Sequence, residues 1–241
     1  MKALLLLLLK VLPALKFGKL LTTGGTMLLS LGLYATMFGW LYAAGFIALL
    51  FAHEMGHYVA MRQRGLDAGA PVFIPFVGAY IAMKQLPHDV ETEAYVAIAG
   101  PLVGTIAAFA AYIYADQTGS KLWLAVSYAG FFLNLFNLTP LSPLDGGRIT
   151  AVLSPRIWLV GVPVLLAAFL YRPSPILVLI AILAAPQVVA AWRYDANAPE
   201  NRAYYGIPLK AKIEYAALYL LLAAALGIMT YQVHEQLQYL S

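Results

Sequence analysis

Apolar residues fill this chain in long runs broken by prolines, glycines and short charged turns, with no sustained alternation of apolar and polar positions. The run from Leu20 to Ala60 would be about 60 Å long as one helix, twice the apolar thickness of a bilayer, so it must turn back once. Gly39 beside Trp40 is the expected turn, giving spans of Leu20–Phe38 and Trp40–Met61, the second closed by Arg62, Arg64 and Gly65. Pro71 to Met83 is apolar but carries two prolines and a glycine among strand formers. It reads as a hairpin or re-entrant segment, tolerated at membrane depth where it is buried in protein or lines a cavity. Further spans are predicted over Glu93–Ala115, Leu122–Leu138, Ile157–Tyr171, Pro175–Trp192 and Tyr215–Tyr231, with a polar loop from Arg193 to Lys212. Gly100-Pro101 and Gly104 predict a kink and a close helix approach in the third span.

Composition sharpens this picture. The 241 residues are 62% hydrophobic and 11% charged, with a mean hydropathy of +0.78, too apolar for an ordinary soluble domain. The net charge of +4 forms no basic stripe, so a nucleic-acid partner is not expected. Membrane topology explains the charge better: with a cytoplasmic N-terminus, 13 of the 15 Lys and Arg fall inside and only Lys121 and Arg172 outside. That count favours seven spans. The predicted fold is an all-α polytopic membrane protein of six to seven transmembrane helices with a short re-entrant β-hairpin. Residues 1–19 form a basic amphipathic segment on the membrane surface, since Lys10 interrupts the apolar core a signal peptide would need. Residues 20–241 form one membrane-embedded domain, with a core over 20–155 and additional helices over 156–241. The absence of cysteine excludes a thiol nucleophile and thiolate metal ligands.

The second span contains the candidate chemistry, His53-Glu54-Met55-Gly56-His57. Ionisable groups at membrane depth are costly and mark functional sites by default. Residues four apart share a helix face, so both imidazoles can aim at one zinc ion while Glu54 lies beside it as a candidate base. The bland alternative is a set of polar helix residues satisfied by neighbours. A third ligand is wanted, and Asp145 has the matching depth, the broken helix of Asn137 to Arg148 and adjacent glycines. Its bland role is an Asx-turn capping a helix that starts near Arg148. His88 and Glu93 are the reserve ligands, with a polar loop and a cap or anchor of the third span as their ordinary roles.

The pairing of His53-Glu54-Met55-Gly56-His57 with Asn137-Leu138-Thr139-Pro140-Leu141-Ser142-Pro143-Leu144-Asp145-Gly146-Gly147 resembles the site-2 protease family of intramembrane zinc metalloproteases, over roughly residues 20 to 155. The resemblance implies one Zn2+ per chain held by His53, His57 and Asp145, with Glu54 activating water. It also implies a substrate contact at Asn137. Gly78 in the re-entrant segment and Pro140 and Pro143 in the broken helix complete the expected substrate-binding set. The implied partners are a transmembrane protein or peptide substrate and the lipid bilayer. The implied location is a prokaryotic cell membrane, multi-pass, with the site near the cytoplasmic side. No stretch suits a PDZ or CBS domain, so a compact form is expected. The weaker readings are a membrane zinc carrier, which would string its ligands along a path, and a catalytically silent homologue, which intact Glu54 disfavours.

Overall fold

The structure, a computed structural model, describes residues 18–83, 85 and 87–240. The expectation of a surface helix over residues 1–19 therefore lies outside the described residues, except that Gly18 and Lys19 begin the first helix.

Helices α1 (Gly18–Phe38) and α2 (Trp40–Gln63) meet at Gly39. Its φ of +83° is a conformation that costs glycine little. A two-stranded antiparallel hairpin follows, β1 (Ala68–Ile74) and β2 (Gly78–Met83), with Pro71 opposite Ile81 and Ile74 opposite Gly78. It packs on α1 and α2. Thr23 Oγ1 donates to the Pro71 carbonyl at 2.7 Å, and the Phe73 and Phe76 amides donate to Thr26 Oγ1 and the Tyr34 hydroxyl. Thr23 and Thr26 of α1 thus satisfy the outer edge of β1, and Tyr34 the turn after it, where both would otherwise lack partners.

Helix α3 (Val90–Thr118) opens on Asp89, whose carboxylate accepts from the Thr92 amide at 2.7 Å. Gly119, in the left-handed region at φ +66°, closes it. Helix α4 (Lys121–Asn137) runs up to the stretch broken by Pro140 and Pro143. Next come α5 (Asp145–Thr150), a 3-10 turn over Pro155–Ile157, α6 (Trp158–Tyr171), α7 (Pro175–Trp192), α8 (Pro199–Tyr205) and α9 (Leu209–Leu240).

Three boundaries correct the sequence expectation. The helix expected to start near Arg148 starts at Asp145, with Leu144 as its N-cap residue, so Asp145 is not the cap. The polar loop of 193–212 contains α8. The last helix spans 32 residues, well beyond Tyr215–Tyr231 at both ends, because charged residues continue a helix once they lie past its apolar stretch. Among the described residues, three helices are long and apolar enough to cross a membrane: α3, α7 and α9.

Helix α2 is the centre of the arrangement, in contact with α1, α3, α4 and both strands. One apolar cluster joins α3, α4 and α9 through residues such as Ala97, Phe131 and Leu226, all fully buried. A second gathers Ala94, Leu141, Val152 and Trp158 around α5. Between them these clusters hold α3, α4 and α5 against one another.

Candidate metal centre

The four-residue spacing of His53 and His57 puts both rings on one face of α2, with ring centroids 4.8 Å apart. Both are buried, as is Glu54 between them. Asp145 reaches them from the first turn of α5, its carboxylate Oδ2 lying 3.2 Å from His53 Nε2 and 3.3 Å from His57 Nε2. The two Nε2 atoms are 3.1 Å apart. On a tetrahedral zinc ion with bonds of about 2.0–2.1 Å, neighbouring ligand atoms lie about 3.3 Å apart. The three atoms here, 3.1–3.3 Å apart, have the mutual spacing that three ligands of such an ion would need.

The far side of each ring supports the same assignment. His57 Nδ1 lies 2.8 Å from the Val96 carbonyl, which can only accept, so Nδ1 carries the proton. His53 Nδ1 lies 2.8 Å from Asn134 Oδ1. In neutral rings, the form that binds a metal, both Nε2 lone pairs would then face Asp145 Oδ2, a donor set of two imidazoles and a carboxylate that suits zinc.

The helices approach closely enough for this because small residues line the contact. A methyl at Gly56 would stand 2.4 Å from the Ala99 carbonyl oxygen, and one at Gly100 would stand 2.2 Å from His57 Nε2. Gly146 and Gly147 do the same for α5, where a Cβ would meet the Leu138 carbonyl and the Ser142 amide. Trp158 Nε1 donates to the Gly147 carbonyl at 2.7 Å and ties the Asp145 helix to α6.

The cluster of His, Asp and Glu side chains able to hold a metal ion among the described residues is His53, His57 and Asp145. Glu54 is within electrostatic range of all three and of Arg148. Neither reserve ligand joins them. His88 is exposed in the loop before α3. Glu93 is not the cap of α3, a position held by Asp89; it accepts from the Tyr204 hydroxyl at 2.7 Å and pairs with Arg148 Nε at 3.8 Å. Asn137 is half-buried at the end of α4, and its side chain makes no hydrogen bond among the described residues. Pro140 is half-buried and Pro143 exposed in the stretch leading into Asp145, while Gly78 opens β2 at φ +130°. Sequence reasoning missed Asn134 and the Val96 carbonyl. The first left a faint signal, a lone amide inside the apolar run Phe131–Phe136; a backbone acceptor leaves none.

Comparison with known proteins points to zinc metalloproteases. The model of peptidase family M50 matches residues 41–119. The "Zinc metalloprotease MJ0392" of Methanocaldococcus jannaschii is 32% identical over 110 residues, 43% of this chain and 32% of that protein. The "Putative zinc metalloprotease Rip3" of Mycobacterium tuberculosis is 31% identical over 134 residues, 50% of this chain and 33% of that protein. This chain thus spans about a third of the length of the curated relatives it matches. Over the segment that supplies both histidines and the glutamate, the chain resembles peptidase family M50, the site-2 protease family of zinc metalloproteases.

Proposed function

We propose that this chain is an intramembrane zinc metalloprotease that hydrolyses peptide bonds in or near transmembrane segments of membrane-protein substrates. The observation carrying the reading is the convergence of His53 Nε2, His57 Nε2 and Asp145 Oδ2 at tetrahedral ligand spacing beside a buried Glu54. His53, His57 and Asp145 hold one zinc ion. The chemistry such a site supplies when loaded is polarisation of a peptide carbonyl and acidification of water. Glu54 takes the proton from the attacking water and passes it to the leaving amine, so that its carboxylate is restored when the bond breaks.

A helical substrate hides its carbonyls in its own hydrogen bonds and must open locally to be cut. The outer edge of β1 is engaged by Thr23 and Thr26, which leaves β2, beginning at Gly78, as the edge that receives the extended peptide by strand addition. Asn137, whose side chain has no hydrogen-bond partner among the described residues, contacts the peptide backbone, and Pro140 and Pro143 shape the break beside it. Counting α1, α2, α4 and α6 with α3, α7 and α9 gives seven spans, and with the distribution of Lys and Arg this supports a site near the cytoplasmic face of a prokaryotic cell membrane. Water enters from that side along the broken segment between α4 and α5.

The test is Glu54→Gln. It should bind zinc as the wild type does and cleave no peptide, because the ligands remain and the base is gone. Chelation of the wild type should abolish cleavage, and added zinc should restore it. Cleavage by a metal-loaded Glu54→Gln preparation free of contaminating proteases would eliminate Glu54 as the base.

A further inference from the structure

We infer that Asn134 is a positioning residue that decides which nitrogen of His53 faces the metal cluster, and that the backbone of its own helix decides which way its amide points. As a statement about metal binding this rests on the reading just given. The hydrogen-bond logic does not.

Asn134 is 1% exposed, so solvent offers its amide no alternative partners. Its two ends are not equivalent. Nδ2 lies 2.7 Å from the Gly130 carbonyl, one helical turn earlier in α4. A carbonyl can only accept, so the amide nitrogen must be the end that faces it. Oδ1 is thereby turned to His53 Nδ1, 2.8 Å away. An amide oxygen can only accept, so His53 Nδ1 must carry a proton. In the neutral ring the lone pair then falls on Nε2, the atom 3.1 Å from His57 Nε2 and 3.2 Å from Asp145 Oδ2. A backbone carbonyl in α4 thus sets the ligand atom of a histidine in α2 through one intervening side chain.

His57 needs no such relay, because the Val96 carbonyl reaches its Nδ1 directly. The requirement at position 134 is narrow: a donor toward Gly130 and an acceptor toward His53 on one short, planar group. Asn meets it, whereas Leu has the volume without either function. Gly104 supplies the space, since a Cβ there would stand 2.3 Å from Oδ1 and 2.8 Å from Nδ2. Gly104→Ala should therefore displace the amide while leaving Asn134 in the sequence.

The experiment uses the full chain purified in detergent, as wild type, Asn134→Leu and Gly104→Ala, with Gly32→Ala as a control whose new methyl meets nothing within 4 Å. Ring-nitrogen NMR on 15N-histidine protein reads the tautomer of His53 with and without metal. Titration with Zn2+, and with Co2+ followed by its visible absorption, reads the site. We expect Nδ1 of His53 to be protonated in the wild type in both states, and to lose that preference in the two variants. Metal affinity should fall about 10- to 100-fold in each, as for other partners of metal-ligating histidines, and the Co2+ spectrum should change. The control should match the wild type. An unprotonated Nδ1 in the wild type, or unchanged tautomer, spectrum and affinity in a folded Asn134→Leu or Gly104→Ala, overturns the inference. A wild type that shows the Nδ1 proton but binds no zinc supports the relay and removes the metalloprotease reading instead.

Discussion

Substitution of Gly100 by alanine is a demanding test of the metal centre, because the change is a single methyl group on a residue with no chemistry of its own. A Cβ at position 100 would lie 2.2 Å from His57 Nε2, 2.4 Å from Cε1 and 2.8 Å from Cδ2. Nonbonded heavy atoms settle near 3.5–4.0 Å, so the ring must retreat by about 1 Å or more. It is not free to do so, since its Nδ1 is held at 2.8 Å by the carbonyl of Val96, in the same helix as Gly100. Separating α2 from α3 would relieve the clash only by opening the contact where Gly56 meets the Ala99 carbonyl. Metal sites tolerate about 0.2 Å in ligand distance, so a 1 Å shift removes His57 from the ligand set. Gly100→Ala should therefore weaken zinc binding by more than the roughly 10- to 100-fold expected for outer partners, and lower stability by about 1–3 kcal/mol through overpacking. Zinc titration and thermal melting in detergent measure the two effects, with Gly32→Ala as the reference. Wild-type zinc affinity in Gly100→Ala would show that His57 does not hold the ion through Nε2 in the arrangement described.

Two further outcomes are expected. Burial, reinforced by the charge of Glu93, pushes the Tyr205 phenol up to about 12 from its ordinary value of 10.0, and the same causes raise Tyr204. A raised pKa means that the folded state favours the protonated phenol, so this stability is present below about pH 10 and is lost as pH rises toward 12. Melting temperatures between pH 9 and 12 should fall less steeply for Tyr205→Phe than for the wild type, and parallel slopes would contradict the argument. Asn137→Ala should be folded, zinc-loaded and about ten- to a hundredfold slower in cleavage, from the loss of one substrate hydrogen bond. If the slowing is accounted for by a fall in melting temperature and zinc content, Asn137 has a structural role only.

The parts legible from the sequence are those set by local periodicity and by residues with unusual backbone behaviour. Four-residue spacing on a helix brought His53 and His57 to one face, Gly39 marked the break between α1 and α2, and two prolines marked the end of α4. Asp145 was singled out by its place in a broken segment. The start of its helix was misplaced, because Gly146 and Gly147 read as turn residues when they are needed for close packing against Leu138 and Ser142. The ends of α9 were misplaced because hydropathy marks where a membrane stretch stops, which is not where the helix stops.

What the tertiary structure alone decided is the support of the centre. The acceptor for His53 comes from 81 residues away and that for His57 from 39, one an amide in an apolar run and the other a backbone carbonyl. The sequence drew attention to Asn137, beside the prolines, whereas the asparagine that touches a histidine is Asn134, one turn earlier and facing α2. Helical periodicity shows which residues share a face, but the neighbour that face meets is fixed by how closely α2, α3 and α4 approach. That distance is set by Gly56, Gly100 and Gly104, which have no side chain to announce the contact they permit.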